Sequence, residues 1–534
     1  MYAKLYAATV HGIDGLLVTV EVDISNGLPH FELVGLGGSA VKEARDRVRS
    51  ALRNAGYEYP LKRITVNLAP ADVRKDGSAF DLAIALGVLI ASEQMKTPAT
   101  PTLILGELAL DGSLRPVPGV LPMALSAHEH GFDQILLPEK NQEEAALAGL
   151  TVLSANHLKM AVKRWSGENN DTHTQVELIE TASDEQMSDP QHQEVRFSTF
   201  PSKKKRTFEN AVQTPDFCDV IGQHFVKRGL EVAAAGMHNV ILIGPPGSGK
   251  TMLATCLPSI MPELNIEESF AVTKIYSIAG QLRSHGGLIR TRPLRSPHHT
   301  ISQSALAGGG NQIPRPGECS LAHSGILFLD EMPEFSRAAL EVLRQPLESG
   351  EIIIGRSKQT YTYPARFLLL GSMNPCPCGY YGSKGQQECT CTPQQIQRYR
   401  SRLSGPLLDR IDIHLEVPRI SIEEISSRRI SESSVDIRKR VEKARLIQLE
   451  RYPHRKNFSF NSTMSGNELR AFGVLEKEGR QLMELAFKNL GLSARGYDRI
   501  IRVARTIADL DFSEKINSSH VAEAIQYRSL DYKI

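Results

Sequence analysis

The stretch His238-Asn-Val-Ile-Leu-Ile-Gly-Pro-Pro-Gly-Ser-Gly-Lys-Thr251 decides the fold of this chain. A short apolar strand runs into a loop with the spacing G-x-x-x-x-G-K-[ST], and a helical pattern follows. The glycines of such a loop let successive backbone N–H groups point at phosphate oxygens, and the positive end of the next helix adds to the attraction. Lys250 would neutralise the β- and γ-phosphates, and Thr251 would ligate Mg²⁺. We therefore predict an ATP site formed by Gly244, Pro245, Pro246, Gly247, Ser248, Gly249, Lys250 and Thr251.

Two later strands end in polar side chains that suit the same site. The buried-strand run before Asp330 and Glu331 places two carboxylates at a strand end, where Asp330 could hold the Mg²⁺ shell and Glu331 could act as general base. A third apolar strand, 367–371, leads to Asn374, which could orient the attacking water. Alone, the acidic pair could be a surface cap and Asn374 a turn former. Their occurrence downstream of the phosphate loop favours the catalytic interpretation.

Composition divides the chain into four segments. Residues 1–165 alternate short apolar runs with helical patterns, which predicts an α/β domain. Residues 166–206 form a polar linker, and its Lys203–Arg206 run could touch DNA or simply be an exposed linker end. Residues 207–418 alternate strands and helices again, and residues 419–534 are helical in pattern.

Charge and hydropathy exclude some classes of protein. The 534 residues include 62 basic and 60 acidic side chains, so any nucleic-acid surface must be local rather than global. No run of about 18 apolar residues is present, and the N-terminus lacks a signal-peptide core, so we expect no membrane association. Seven cysteines are too few for a disulfide scaffold of this size, which favours a cytoplasmic location.

Four of the cysteines form two C-x-C pairs directly after Asn374. Cys376, Cys378, Cys389 and Cys391 supply four thiolates, the ligand set of a tetrahedral structural Zn²⁺ site. Because C-x-C is a less usual spacing than C-x₂-C, two disulfides and free thiols remain alternatives.

The order of these motifs resembles that of AAA+ ATPases. Leu407-Leu-Asp-Arg-Ile-Asp412 is similar to the segment that carries the arginine finger, and Ser493–Arg505 is similar to the sensor-2 helix of the magnesium-chelatase and MCM-like branch. With the Arg295–Ser302 insertion, the whole chain resembles the ComM/YifB family. The resemblance implies an α/β P-loop AAA+ core with a helical lid, preceded by a Lon-protease-like (ribosomal S5 domain 2-like) α/β domain.

The same resemblance carries expectations about activity. Arg410 would reach a neighbouring subunit's ATP, and Arg495 would contact the phosphates of its own chain from the helical lid. The expected assembly is a homohexameric ring. The expected function is DNA helicase or branch-migration activity in natural transformation and homologous recombination. The alternative is a remodelling ATPase that acts on a protein partner, as magnesium-chelatase subunits do.

The N-terminal segment resembles the Lon-protease fold without its chemistry. The position of the family's nucleophile is occupied by Ala79, and the position of its lysine falls at about Leu121. Ser78 lies one position early and lacks a base. Since alanine and leucine can neither attack a carbonyl nor accept a proton, we expect a scaffold or binding domain rather than a protease.

Two basic segments are candidates for DNA contact. Residues 351–363 predict a β-hairpin whose tip carries Arg356 and Lys358, which would meet phosphates in a central pore. An exposed charged turn is the alternative. The insertion adds Arg290, Arg292 and Arg295, and its adjacent His298 and His299 have no carboxylate at helical spacing to support a metal site.

Overall fold

The protein is described by a computed structural model that covers residues 1–35, 41, 43–71, 75, 77–167, 215–282, 287–310, 313–356, 359–382, 388–420, 431–452, 460–490 and 492–528. Its strands are β1 Tyr2–His11, β2 Asp14–Ser25, β3 His30–Val34, β4 Arg63–Ala69, β5 Thr102–Ile104, β6 Glu107–Leu108, β7 Leu114–Arg115, β8 Gln134–Pro138, β9 Thr151–Ala155, β10 Val240–Ile243, β11 Leu294–Arg295, β12 Gly308–Gly309, β13 Arg315–Pro316, β14 Ile326–Leu329, β15 Glu351–Gly355, β16 Thr360–Pro364, β17 Leu368–Met373 and β18 Ile413–Glu416.

The α-helices are α1 Ala44–Asn54, α2 Asp81–Ala91, α3 Val120–Glu129, α4 Gln142–Ala146, α5 Leu158–Ser166, α6 His224–Gly236, α7 Lys250–Ile260, α8 Ile266–Ile278, α9 Gln303–Ala307, α10 Glu318–Leu321, α11 Arg337–Val342, α12 Arg344–Ser349, α13 Pro393–Arg400, α14 Gly405–Leu408, α15 Ser434–Arg451, α16 Gly466–Phe472, α17 Lys477–Leu490, α18 Ala494–Leu510 and α19 Ser518–Gln526.

The N-terminal part is a seven-stranded mixed sheet covered on both faces. Its strand order is β3-β4-β2-β1-β5-β8-β9. Helices α1, α2 and α5 pack on one face, and α3 and α4 pack on the other. Helix α2 has an apolar residue at nearly every position, so it is buried all round beneath α1. The nearly continuous apolar run from Phe80 to Ser92 predicts such a buried helix, and the structure places it at Asp81–Ala91.

The second sheet is parallel, and its strand direction positions every polar side chain of the candidate site. Its order is β11-β14-β17-β10-β18, with every neighbouring pair parallel. Ile243 of β10 lies opposite Met373 of β17, and Leu329 of β14 lies opposite Gly371. The carboxyl ends of three strands therefore meet at one edge, where ligands bind in sheets of this kind.

The C-terminal helices close against the opposite, amino edge of this sheet. Asp412 lies just before β18, and Arg499 of α18 donates to it at 2.6 Å. His238, just before β10, forms a 2.8 Å ring-nitrogen contact with the hydroxyl of Thr506, also on α18. Burial opposes ionisation of Asp412, but Arg499 overrides it and holds the pKa of that carboxyl well below its usual range. Helix α18 is thus fixed beside the starts of β10 and β18 at two points along its length.

The N-terminal sheet contacts the second sheet's helices and hairpin through α3 and the β1–β2 turn. The backbone N–H of Gly119 donates to Ser277 O of α8 at 3.0 Å. The rings of His11 and Tyr361 are 4.9 Å apart, which joins the β1–β2 turn to strand β16. The face of the N-terminal sheet that bears α1 and α5 is therefore the outer one, turned away from α8.

The α/β prediction agrees with both sheets. The predicted linker, 166–206, lies outside the described residues from 168 onward, as does its Lys203–Arg206 run. Within the described ranges, no helix combines the length and the apolar character that crossing a bilayer requires.

Candidate active site

The phosphate loop joins β10 to α7 in a conformation that needs its glycines. Gly247 and Gly249 have φ values of 74° and 88°, in the left-handed region that side chains rarely adopt. A Cβ on Gly244 would lie 2.3 Å from the carbonyl oxygen of Val417, so the loop packs directly on the chain that follows β18. Lys250 Nζ donates to the carbonyls of Gly244 at 2.7 Å and Pro245 at 3.0 Å. Burial lowers the pKa of this ammonium group.

Asp330 is held at the end of β14 by two hydroxyl groups. The hydroxyl of Thr251 donates to Asp330 Oδ2 at 3.0 Å. The hydroxyl of Ser372, near the end of β17, donates to Asp330 Oδ1 and also accepts the backbone N–H of Glu331 at 3.1 Å. This direct Thr251–Asp330 contact is the arrangement expected of two residues that share the coordination sphere of Mg²⁺.

Asn374 completes the group, because its Oδ1 accepts from Lys250 Nζ at 3.2 Å. The predicted residues Lys250, Thr251, Asp330 and Asn374 are therefore brought together by hydrogen bonds at one edge of the sheet. The strand order explains it, since β17 lies between β10 and β14. These residues fit ATP with Mg²⁺. Lys250 would bind phosphate oxygens, Thr251 and Asp330 would hold the cation, and Asn374 would orient water.

Glu331 differs from the neighbouring Asp330 because its carboxylate is exposed. It has a φ of 51°, and its side chain is 57 % exposed, so the carboxylate projects from the edge of the sheet rather than into the core. His299 Nδ1 lies 3.9 Å from Glu331 Oε2. The sequence analysis considered His299 only for metal binding. Its distance in sequence from Glu331 concealed that it approaches the candidate general base.

A second element that the sequence analysis missed is the loop before α6. Gly222 and Gln223 both have positive φ values, 61° and 54°. Gln223 Nε2 donates at 2.7 Å to the carbonyl of Pro418, one residue beyond the Val417 that packs on the phosphate loop. This loop therefore borders the nucleotide site. The signal available in the sequence was the Gly222-Gln223 turn directly before a helix.

Arg410 and Arg495 lie together at the amino edge of the sheet. Both line a cavity of about 720 Å³ that also includes Asn239 and Glu348. Arg410 donates to Glu348 at 2.6 Å, and its charge, with that of Arg495, holds the pKa of Glu348 below its usual range. Because Glu348 is 67 % exposed, this ion pair is easily exchanged for another anion.

The expected contact of Arg495 with its own chain's phosphates is wrong in this structure. Helix α18 begins at the edge where β10 starts, whereas the phosphate loop follows the end of β10. Four strand residues separate these edges by about 13 Å. Arg495 is exposed and lines the same cavity as Arg410, so its side chain is available to another molecule rather than to its own site. Arg410 is largely buried and donates to the carbonyl of Pro406 as well as to Glu348, so it reaches the cavity only through its guanidinium end.

The four predicted cysteines converge. The sulfur of Cys376 is 3.3 Å from that of Cys378 and 3.7 Å from that of Cys389, and all four sulfurs, including that of Cys391, lie within 4.8 Å of one another. Tetrahedral zinc with Zn–S bonds of about 2.3 Å requires sulfurs about 3.8 Å apart, so the donor set fits Zn²⁺. The backbone N–H of Tyr380 lowers the pKa of Cys378, whereas hydrogen bonds to the neighbouring sulfurs and the charge of Cys376 raise the pKa values of Cys389 and Cys391. The fit to zinc therefore rests on the sulfur geometry.

This cysteine cluster touches the nucleotide site. A Cβ on Gly379 would lie 2.5 Å from Pro246 Cδ, so the turn between Cys378 and Tyr380 packs against the phosphate loop. The cluster also begins two residues after Asn374. Its chemical role would be structural, since four thiolates leave no open coordination position. The cluster would then fix both the loop and Asn374.

The basic insertion is only partly available for DNA. Arg292 is buried and donates to Glu268 at 3.0 Å and to three main-chain carbonyls, so the expected phosphate contact is wrong for this residue. Arg295 makes a two-pronged ion pair with Glu318 at 2.6 and 2.7 Å. Arg290 is exposed. Arg292 and Arg295 therefore form ion pairs within the chain. The spacing of the sequence did not reveal that Glu268 and Glu318 lie close to them.

The predicted hairpin is confirmed as strands β15 and β16, paired from Glu351–Pro364 to Gly355–Thr360. Arg356 is exposed at its tip and donates to the carbonyl of Gly310. Lys358 lies outside the described residues.

The Lon-like positions Ala79 and Leu121 supply neither a nucleophile nor a base, but Ser78, one position early, has a carboxylate partner, so the expectation that it lacks a base is wrong. Leu121 is fully buried, and Ala79 packs against the core beneath α3. Ser78 donates to Glu107, and the ammonium group of Lys75 donates to the carbonyl of Pro70.

The fold and the site together define a P-loop ATPase of the AAA+ class. The parallel sheet carries a glycine-rich phosphate loop, and an acidic pair and a polar sensor lie at adjoining strand ends. Family models agree: residues 216–425 match "Magnesium chelatase, subunit ChlI", residues 20–141 match "Subunit ChlI of Mg-chelatase", and residues 431–528 match its C-terminal model. The chain is 43% identical to YifB of Escherichia coli over 97% of this chain and 96% of that protein. It is 42% identical to the competence protein ComM of Haemophilus influenzae over 99% and 97%.

The protein therefore belongs to the YifB/ComM family of magnesium chelatase-like AAA+ ATPases. A more distant relative is the magnesium-chelatase 38 kDa subunit of Rhodobacter capsulatus, at 24% identity over 38% of this chain and 58% of that protein.

Two substitutions separate nucleotide binding from hydrolysis. Lys250→Ala removes the cation of the phosphate loop and should weaken ATP binding. Glu331→Gln should still bind ATP but lower turnover about 10²- to 10⁴-fold, the usual contribution of a general base. Fluorescent-nucleotide binding and steady-state phosphate release measure the two effects. Glu334→Gln, which removes an exposed carboxylate three residues away, is the control and should keep its rate. Normal turnover in Glu331→Gln would exclude Glu331 as the base.

The cysteine cluster predicts a metal content. Purified protein should contain about one zinc per chain, because four thiolates saturate one tetrahedral ion. Cys376→Ser combined with Cys389→Ser should lose it, whereas Cys319→Ser, at a buried cysteine outside the cluster, should keep it. Elemental analysis and thiol titration measure both quantities. Metal-free wild-type protein with four additional titratable thiols would show that the cluster is a set of free cysteines.

Proposed function

We propose that this protein is an ATP-driven, ring-forming DNA motor, with helicase or branch-migration activity, that acts in natural transformation and homologous recombination in the cytoplasm. The observation that carries the DNA assignment is the similarity over nearly the whole chain to a protein named for competence, the uptake of external DNA. The observation that supports the motor is the hydrogen-bonded group of Lys250, Thr251, Asp330 and Asn374.

The proposed catalytic unit lies between two subunits, most simply in a homohexamer. In one chain, Glu331 would draw a proton from water that Asn374 orients, while Lys250 would neutralise phosphate charge. ATP would supply the transferable phosphoryl group, and Mg²⁺ held by Thr251 and Asp330 would neutralise negative charge on it. Arg410 and Arg495 of the next chain would enter this site from the cavity at the amino edge of their own sheet. Charge that develops on the phosphoryl oxygens would then displace the exposed Glu348 from Arg410.

DNA would pass the hairpin β15–β16. Arg356 projects at its tip, and Lys358 lies two residues on in the sequence. Cations at a hairpin tip contact phosphates without distinguishing bases, which suits a motor that must move along any sequence. Arg290 provides a further exposed cation in the insertion.

A protein-remodelling ATPase is the second candidate, and the similarity to a magnesium-chelatase subunit favours it. The two functions differ in what stimulates hydrolysis. A DNA motor hydrolyses ATP faster with single-stranded or branched DNA, whereas a protein-remodelling subunit does not.

Substitutions in the hairpin should separate DNA-stimulated ATP hydrolysis from basal ATP hydrolysis. Arg356→Ala with Lys358→Ala should reduce DNA-stimulated hydrolysis and strand displacement, and should lower the log–log salt slope of single-strand binding by about 0.7 per lost contact. Basal hydrolysis should persist, because the phosphate loop is unchanged. Arg470→Ala, at an exposed arginine of α16, is the control. Normal unwinding with an unchanged salt slope would remove the hairpin from the DNA path.

The interface predicts complementation between two inactive variants. An equal mixture of Arg410→Ala and Lys250→Ala chains should regain roughly a quarter of the wild-type rate, because about one interface in four pairs an intact pocket with an intact arginine finger. Phosphate release measures the rate, and light scattering confirms assembly. If the Lys250→Ala chain also carries Arg410→Ala, no chain in the mixture has an intact finger, and the rescue should be lost. Assembled mixtures that stay inactive would contradict a finger supplied in trans.

A further inference from the structure

Two helices on the outer face of the N-terminal sheet present a row of basic side chains that the nucleotide site and the hairpin do not use. Five side chains form what we call the α1/α5 face: Arg45, Arg49 and Arg53 on α1, and Lys159 and Lys163 on α5. All five are exposed, while both helices bury their apolar sides against the sheet.

The spacing of these cations is regular. Arg45, Arg49 and Arg53 are four residues apart, so they lie on one side of α1 and span about 12 Å. One strand of B-form DNA presents about four phosphates over that length, at about 3.4 Å each. The guanidinium group of Arg49 lies over the ring of Tyr59, 5.9 Å from its centroid. Lys159 and Lys163 repeat the same four-residue spacing on α5.

The two rows adjoin each other. A Cβ on Gly56, just after α1, would lie 3.8 Å from Lys159 Nζ. A groove of about 440 Å³ runs beside Asn54, His157, Lys159, Met160 and Lys163. The end of α1 and the start of α5 thus border one shallow channel rather than two separate surfaces.

Among the described residues, most of these cations have no carboxylate partner. Arg45 pairs with Asp46 at 3.0 Å. Within the described residues, Arg49, Arg53, Lys159 and Lys163 have no carboxylate within 4.0 Å. Asp111, whose backbone carbonyl contacts the ring of His157 at the groove, accepts the backbone N–H and hydroxyl of Ser113 with its carboxylate. Because the whole chain carries a net charge of only +2, four unpaired cations on two adjacent helices are a local concentration.

We propose that the α1/α5 face binds the sugar–phosphate backbone of DNA at a place separate from the pore hairpin. The inference rests on the proposed function and adds a second, ATP-independent contact to it. The face suits phosphates rather than an acidic protein, since Met160 is the one apolar side chain among the described residues that line the groove and protein interfaces usually need a larger apolar centre. Its guanidinium and ammonium groups can bind any sequence, because phosphate contacts carry no base information.

A salt series of DNA binding tests the proposal. The quadruple variant Arg49→Ala/Arg53→Ala/Lys159→Ala/Lys163→Ala is compared with wild type on a labelled single strand and on a labelled duplex, by fluorescence anisotropy without nucleotide. If all four cations contact phosphates, the magnitude of the log–log slope should fall by about 2.8 on the single strand and about 3.6 on the duplex. Raising salt fourfold should then weaken wild-type binding to the single strand about 50-fold more than variant binding.

The control removes two cations elsewhere on the same domain, Arg63→Ala/Lys140→Ala, and should leave the slope unchanged. Unfolding midpoint and basal ATP hydrolysis of the quadruple variant should match wild type, because none of its four residues is buried or near the phosphate loop. An unchanged slope in the quadruple variant, with a reduced slope in the hairpin variant, would overturn this inference and leave the proposed function intact. Wild-type protein that binds neither DNA would overturn both.

Discussion

The common direction of the strands in the five-stranded sheet divides the catalytic groups between its two edges. Parallel strands place every carboxyl end on one side, so the phosphate loop, Asp330 and Asn374 meet there. Arg410 and Arg495 lie beyond the amino ends of the same strands. About 13 Å of strand separates the two groups within a chain. In the proposed function, a second subunit completes the site, with its amino edge facing the carboxyl edge of the first.

Hydrogen bonds and packing contacts hold the catalytic groups in place at each of the two edges of the sheet. At the amino edge, Asn239 accepts the backbone N–H of Leu369 at 2.9 Å and donates to the carbonyl of Arg410 at the same distance. One side chain thus ties the backbone of the arginine to the start of the strand that ends in Asn374. At the carboxyl edge, the turn of Gly379 packs on Pro246. A metal-fixed cysteine cluster would restrain the loop and Asn374 together, so the two edges would move as parts of one body.

The sequence predicted the parts whose chemistry is local. The phosphate loop, the strand-end carboxylates, the buried helix α2 and the hairpin each have a signature of spacing or periodicity, and the structure places all four as their patterns indicate. Arg292 and Arg495 could not be assigned in this way. Whether a cation faces solvent or Glu268, and which edge a helix adjoins, depends on long-range packing that no short motif encodes. The approach of His299 to Glu331 has the same origin, since it joins residues from different segments.

Turnover per chain as a function of protein concentration tests the central claim most directly. If the site is completed by a neighbour's arginines, ATP hydrolysis per chain should rise with concentration and level off where sedimentation shows full assembly. Arg410→Ala chains should assemble over the same range and show no such rise. A wild-type rate per chain that stays constant down to concentrations at which the protein sediments as a monomer would contradict the account, because each chain would then contain a complete site.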